Sequence, residues 1–391
     1  NGLLEANLDD IRAQGTNLTI HCQDNPIQWD AVALGQVDGQ LTVRGQDVMF
    51  QDFTVRDLPL ESFPQALMSD KVKTIHTELT PKGTIEMRIR RGMVQMGPQG
   101  PTLIDAGVLL QTQQLFIGQT DPPHRLKGNC EGHFVFDLPS DRWQMTAHYD
   151  IDHFDYLNWQ VTDLTGDLAH DPNTHLLQSN DFKAQFYDGQ MTGSGEMSLG
   201  DQASYTLDLN FTALNLAKLP PLGNKVQWPS AKAGTADGRV ILTGPLDALS
   251  NPRGKFGATI ANLEMGRQSL LGKILTAVQF KQPEEYIFHG IELNAEILGP
   301  ELIFDRIRII GSPLVFDGMG TMNLKTRMVA FNLSVWDRIV TDRQSIFDML
   351  ARGLGSALWK VEVQGSMDDP KVNAVYLSIL KQPLDLFKNN E

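Results

Sequence analysis

The sequence predicts a mainly β fold, a long curled antiparallel sheet with two or three short amphipathic helices set between its strands. Three observations predict it. Apolar and polar residues alternate with period two in run after run, which places each set on one face of a strand. Asp-Gly pairs recur at Asp38-Gly39, Asp188-Gly189, Asp237-Gly238 and Asp317-Gly318. Such pairs supply the positive φ angles of tight hairpin turns, and hairpins imply antiparallel neighbours. Glycines also stand inside strand-like runs, where a sheet that curls needs them.

The elements follow in order. Residues 1–125 are expected to form a β-rich segment in the style of the rest, with a short helical turn near Pro64 to Ser69. Loop signals fall at Gly97-Pro98-Gln99-Gly100-Pro101, at Asp121-Pro122-Pro123 and at Leu219-Pro220-Pro221-Leu222-Gly223. None is a long flexible linker, so one continuous sheet is expected. The second region, 126–391, holds the clearest strands: Trp143, Met145, Ala147, Tyr149 and Ile151; then Tyr205, Leu207, Leu209 and Phe211; then Phe331, Leu333 and Val335; then Trp359, Val361 and Val363. An internal echo links Phe186-Tyr187-Asp188-Gly189, running into Met191, Gly193, Gly195, Met197 and Leu199, with Leu314-Val315-Phe316-Asp317-Gly318, running into Gly320, Met322 and Leu324. Two segments break the β pattern. Leu270, Leu271, Ile274, Leu275 and Val278 have helical spacing, as do Ile346, Phe347, Leu350, Leu354 and Leu358, so inserted helices are expected near 267–279 and 339–357. Core packing or end capping is their simplest role.

Composition narrows the function. Apolar residues at 41% and charged residues at 20% mark a globular chain and exclude disorder. A net charge of −14 argues against nucleic acid, which needs a basic stripe, and against the body lying flat on an anionic membrane. Cys22 and Cys130 are far apart with no metal-ligand spacing; one long-range disulfide is open to them in an oxidising compartment. No signal peptide and no run of about 18 apolar residues is present. The chain begins at Asn1 and not at Met, so a trimmed chain is expected and the absence of a targeting segment or membrane anchor carries little weight.

The search for catalytic chemistry turns up little. In His148-Tyr149-Asp150-Ile151-Asp152-His153-Phe154-Asp155, a strand would put His148, Asp150 and Asp152 on one face, a donor set able to ligate a metal. Tyr149 and Ile151 continue the apolar run on the other face, so a solvated outer face is the simpler reading. Ser194 in Gly193-Ser194-Gly195 lacks the outer glycine spacing and the strand-to-helix turn of a nucleophile elbow. Gly318-Met319-Gly320 meets Asn323 where a dinucleotide fingerprint wants glycine. The sequons at Asn17, Asn210 and Asn332 are common by chance. No catalytic residue, metal site or cofactor is expected.

From about Gly128 to Tyr376 the order of elements resembles the C-terminal region of AsmA-like proteins, the bacterial relatives of bridge-like lipid-transfer proteins. The resemblance is carried by Gly189-Gln190-Met191-Thr192-Gly193-Ser194-Gly195, the strand Tyr205 to Phe211, Gly234-Thr235-Ala236-Asp237-Gly238-Arg239-Val240, the helix at Ser269 to Val278, the strand Ile287 to Leu293, and Phe316-Asp317-Gly318-Met319-Gly320. Its most specific piece is the closing Val361-Glu362-Val363-Gln364-Gly365-Ser366-Met367-Asp368-Asp369-Pro370-Lys371-Val372. The resemblance implies a sheet folded lengthwise into a taco-like hydrophobic groove, anchored to the inner membrane by an N-terminal helix. It implies a non-enzymatic protein of the Gram-negative periplasm, binding phospholipid or another acyl lipid in intermembrane lipid transport and outer-membrane integrity. About 20 strands spaced ~4.8 Å apart would give a groove ~100 Å long.

The expected groove wall is Trp143, Met145, Tyr149, Ile151, Phe182, Phe186, Met191, Met197, Leu199, Leu207, Leu209, Phe211, Phe316, Met322, Leu324, Phe331, Leu333 and Val335. Each is also able to serve as an ordinary core residue. The alternatives are a structural or interaction β-scaffold whose interior is filled by its own side chains, and, further off, an enzyme using the His148–Asp155 cluster.

Overall fold

A computed structural model describes residues 4–6, 10–14, 17–29, 32–65, 73, 76–77, 80–98, 100–118, 124–140, 142–156, 159–199, 203–219, 233–246, 251–266, 270–277, 285–311, 314–337, 359–367 and 369–376. The fold is mainly β and antiparallel, as the alternation predicts. The expected helix at 339–357 lies outside the described residues, as does most of the turn at Pro64 to Ser69.

The chain divides into two compact units, Asn1–Phe186 with Met191–Ala203, and Tyr187–Gln190 with Ser204–Glu391. Unit 1 holds β1 (Leu4–Ala6), β2 (Asp10–Gln14), β3 (Asn17–Trp29), β4 (Val32–Arg44), β5 (Asp47–Pro59), β6 (Lys82–Gly97), β7 (Gly100–Ile117), β8 (His124–Asp137), β9 (Arg142–Tyr156), β10 (Trp159–Asp171) and β11 (Leu176–Phe186). From β3 to β11 each strand pairs antiparallel with its sequence neighbours, and β1 and β2 lie end to end along the free side of β3. Strand β12 (Gly189–Ser198) has its first two residues in unit 2 and the rest in unit 1.

Unit 2 holds β13 (Ser204–Asn215), β14 (Ala233–Pro245), β15 (Arg253–Gly266), helix α1 (Leu270–Ala277), β16 (Glu285–Leu298), β17 (Glu301–Ile310), β18 (Leu314–Asn323), β19 (Met328–Asp337), β20 (Trp359–Ser366) and β21 (Asp369–Tyr376). Again every strand pairs antiparallel with the next. The helix expected near 267–279 is α1, whose Ile274 and Leu275 are buried.

Most strands carry a β-bulge. Where the register slips, the chain often turns through positive φ at an Asp or Asn: Asp24, Asp52, Asp57, Asp163, Asp181 and Asn262 all have φ between 47° and 55°. These short polar side chains tolerate the left-handed region better than other non-glycine residues. Each bulge adds one residue, so the apolar positions step by three there instead of two. In β5 the inward set runs Val48, Phe50, then Phe53, Val55, then Leu58, skipping over Asp52 and Asp57. A bulge also bends its strand and increases the twist.

The bulges correct the reading of the Asp-Gly pairs. Only Asp188-Gly189 is at a hairpin, where Tyr187 and Asp188 both take positive φ. Asp38-Gly39, Asp237-Gly238 and Asp317-Gly318 lie inside β4, β14 and β18. Two of these aspartates accept a hydrogen bond from the N–H of a positive-φ residue on an adjacent strand, Asp38 from Asp24 at 2.9 Å and Asp237 from Ala213 at 2.8 Å. The glycine beside each leaves room for a neighbouring backbone: a Cβ on Gly39 would lie 2.6 Å from Phe53 Cα, and one on Gly238 2.8 Å from the Gly257 carbonyl oxygen.

Cys22 on β3 and Cys130 on β8 form no disulfide with each other, with β4 to β7 paired in sequence between them. Burial pushes the Cys130 thiol pKa up.

Candidate functional site

Directly paired residues on antiparallel strands share a face, so the registers show how far the apolar face extends. In unit 1, Leu18, Val43, Val48, Val94, Ile104, Phe136 and Trp143 stand opposite one another across β3 to β9. A second row runs Ile20, Leu41, Phe50, Gly92, Ala106, Phe134, Met145, His170 and Leu177. A third runs Val37, Val55, Met87, Leu110, Cys130, Tyr149 and Gly166. Most of these side chains are half-buried. A few polar groups are built into the face. The Tyr149 hydroxyl lies 2.7 Å from Ser179 Oγ, and burial raises its pKa. His170 stacks on Trp143 with ring centroids 3.5 Å apart, and its Nδ1 is 2.8 Å from the Trp143 carbonyl oxygen. Gly166 is required by this packing, since a Cβ there would lie 2.5 Å from the Tyr149 hydroxyl and 2.9 Å from Phe182 Cβ.

Unit 2 repeats the arrangement with tighter packing. Leu209, Val240, Phe256, Ala295, Phe304, Gly320, Phe331, Val363 and Val372 form one row, and Phe211, Gly238, Ala258, Leu293, Ile307, Gly318, Leu333, Val361 and Ala374 the next. Here the side chains bury one another. Val335, Val361 and Val363 are 0% exposed and Phe316 is 1% exposed, in one cluster with Ile274 and Leu275 of α1.

The opposite face is polar and paired. Arg90 reaches Glu131 at 2.7 Å, Lys127 reaches Asp152 at 2.9 Å, and His133 Nε2 lies 2.7 Å from Asp105. The histidine–aspartate cluster falls here. His148, Asp150 and Asp152 are exposed, with His148 Nδ1 2.8 Å from Asp167 Oδ1. Asp155 departs from that pattern. It is buried past the bulge, held by Arg125 at 2.6 Å and by His153 at 2.7 Å. Among the described residues no group of three or more His, Cys, Asp or Glu is placed to hold a metal ion. No helix among them is long and apolar enough to cross a membrane.

Of the expected wall, Trp143, Met145, Tyr149 and Ile151 lie on β9, Phe182 and Phe186 on β11, Met191 and Met197 on β12 with Leu199 just beyond it. Leu207, Leu209 and Phe211 lie on β13, Phe316 and Met322 on β18, and Phe331, Leu333 and Val335 on β19. The β9 set lies in the rows of unit 1, and the registers bring the β13, β18 and β19 sets into shared rows within unit 2. Leu324 is a correction. It sits in the turn after β18, 47% exposed, because Asn323 ends the strand and its side chain accepts from the N–H groups of Lys325 and Thr326. The expected wall also omitted Phe50, Phe53, Phe134 and Phe136, which lie on the same kind of rows in unit 1. A search for period-two runs that resume after an Asp or Asn would have found the first two. No protein-family model, curated protein or solved structure matches the chain.

Proposed function

We propose that this chain binds acyl lipid, phospholipid above all, along the apolar face of its β-sheet. In this reading the bulged strands curl into a hydrophobic groove, and the chain is an AsmA-like, non-enzymatic envelope protein of the periplasm that supports lipid movement between membranes. The observation that supports it most is the continuity of the apolar rows in unit 1, which pass without a charged residue from β3 through β9. An ordinary compact core needs apolar positions. A row seven strands wide whose members stay half-buried suits an extended apolar ligand, each methylene of which gains roughly 0.8 kcal/mol on leaving water. The polar opposite face and the −14 net charge keep such a body dispersed.

Mass spectrometry of the purified protein tests the proposal. Bound phospholipid is expected, and Phe134→Asp is expected to remove most of it. Protein that is lipid-free and cannot be loaded would overturn it. A second reading, a β-scaffold filled by its own side chains, is favoured by unit 2, where Val335, Val361 and Val363 are fully buried with α1. Folded protein that stays lipid-free, with and without Phe134→Asp, would favour that reading.

A further inference from the structure

On the polar face of unit 1 two bulges lie side by side. In β5, Gln51 and Asp52 stand between Phe50 and Phe53, which both belong to apolar rows. In β6, Arg90 and Arg91 stand likewise between Ile89 and Gly92. Regular strands would send one side chain outward at each place, and these send two. The next strand does the opposite. Gly107 of β7 pairs with Arg91 on one side and with His133 of β8 on the other, and it carries no side chain. A Cβ there would meet only the Arg91 carbonyl oxygen, at 3.9 Å. Crowding beside a gap leaves a hollow of about 530 Å³, floored by Gly107 and walled by the two bulges, Asp105 and His133.

The charges of this hollow are not all spent on one another. On the same face Arg88, Arg90 and Arg125 each hold a carboxylate, and His133 lies against Asp105. Gln51, Asp52 and Arg91 make no side-chain hydrogen bond or ion pair with any described residue, although all three line the hollow. Asp52 is thrown outward at a positive φ of 47°. Gln51 is its chain neighbour and the cross-strand partner of Arg91. The lining thus holds two guanidiniums and two carboxylates, and with His133 neutral it carries no net charge. A simple anion entering it meets Asp52 and Asp105, and a simple cation meets Arg90 and Arg91. A molecule with both charges avoids either conflict. We infer that this hollow binds a small zwitterion, its oxyanion on the Arg91 guanidinium and its ammonium on the Asp52 carboxylate. A guanidinium fork takes a carboxylate or phosphate through two parallel hydrogen bonds. The Gln51 amide, beside both charges, offers one donor group and one acceptor to the same ligand. Free α-amino acids and the phosphoethanolamine headgroup share this chemistry. The site lies on the face opposite the apolar rows, so it is independent of lipid held there.

Saturation-transfer NMR titration of the full chain tests this, with glycine and glycerophosphoethanolamine as zwitterions and with acetate, dimethyl phosphate and ethanolamine as single-charge controls. At least one zwitterion is expected to bind about tenfold or more tightly than any control. Binding of glycine alone would assign the hollow to free amino acids, and binding of glycerophosphoethanolamine alone to a lipid headgroup. Arg91→Gln and Asp52→Asn are each expected to weaken the bound zwitterion about tenfold or more. Gly107→Val, whose side chain fills the floor where a Cβ meets little, is expected to abolish binding. Arg88→Gln, which breaks the pair with Glu86 outside the hollow, is expected to leave it unchanged. Thermal melts of each variant show that the fold is kept. No binding of either zwitterion at ~10 mM would overturn the inference. So would equal binding of a single-charge control, or binding that survives Arg91→Gln or Asp52→Asn at full strength.

Discussion

The two units solve one problem in two ways. Both align apolar residues in rows across many strands, and both set a polar, ion-paired face on the other side. In unit 2 the rows close on themselves. Phe316, Val329, Val335, Val361 and Val363 of β18 to β20 are buried in one cluster with Ile274 and Leu275 of α1, and glycines are placed where an aromatic neighbour needs the space. In unit 1 most side chains of the rows stay half-buried, with Val37 and Val55 buried in a small cluster of their own. The difference teaches that alternation specifies which face is apolar and leaves open what fills it. The packing of a helix such as α1, with side-chain volume matched to it, decides whether that face becomes a core.

Substitutions at matched positions break or sharpen this contrast. The largest effect is expected from Val361→Asp, which buries an unpaired charge and should cost more than about 4 kcal/mol, enough to unfold unit 2. Phe134→Asp, on a half-buried row, should cost less than about 2 kcal/mol while removing bound lipid. Denaturant titration with lipid analysis checks both, and equal costs would show that unit 1 is sealed as well. Next, Ile274→Ala in α1 should cost about 2–4 kcal/mol by leaving a cavity over the rows. Gly320→Ala should cost about 1–3 kcal/mol, since its Cβ would lie 2.3 Å from the Ala330 carbonyl oxygen, whereas Gly107→Ala meets only the Arg91 carbonyl oxygen at 3.9 Å and is expected to change stability by less than about 0.5 kcal/mol beyond the small entropy gain of the replacement.

The smallest effects are electrostatic. The Arg239 guanidinium, 2.8 Å from Asp208, holds that carboxyl below the usual aspartate range. A depressed folded-state pKa stabilises above the unfolded value, and the benefit is lost as pH falls through the folded one. Asp208→Asn should therefore cost up to about 0.5 kcal/mol at neutral pH and nothing in strong acid. Asp317 is the opposite case. Burial, its largest influence, raises its pKa, so the folded state favours the protonated form. Asp317→Asn is expected to raise the melting temperature slightly at neutral pH, a gain that fades as pH falls through the raised folded value and is gone below the unfolded one.

Several features were legible in the residues themselves. Trp143 to Ile151, Tyr205 to Phe211, Phe331 to Val335 and Trp359 to Val363 alternate without interruption and are strands, and the helical spacing from Leu270 marks α1. Other features were not. Asp38-Gly39 and Asp237-Gly238 carry the local chemistry of a hairpin but lie within strands, because their carboxylates and missing side chains answer to a bulge on an adjacent strand. That is a tertiary cause, invisible to a local reading. Phe50 and Phe53 were missed for a related reason, since a spacing of three looks like the end of a strand until the intervening Asp52 is seen to loop outward. Leu324 was read as wall because the alternation of Gly320 and Met322 points to it, but Asn323 turns the chain first.

The bulges carry a last consequence, for how the chain reaches this state. Strands of similar length and pattern, each joined to its neighbour, invite mispairing: sliding one by two residues keeps its greasy side inward. A bulge removes that freedom. Where Asp24 seats on Asp38, or Ala213 on Asp237, a slide would unseat a bonded N–H and press a side chain into the gap left for it. The bulges thus index the sheet like teeth on a rack. Each hairpin added during folding finds one notch, and since every contact of this kind joins neighbours in sequence, assembly is able to proceed strand by strand at little cost in loop entropy.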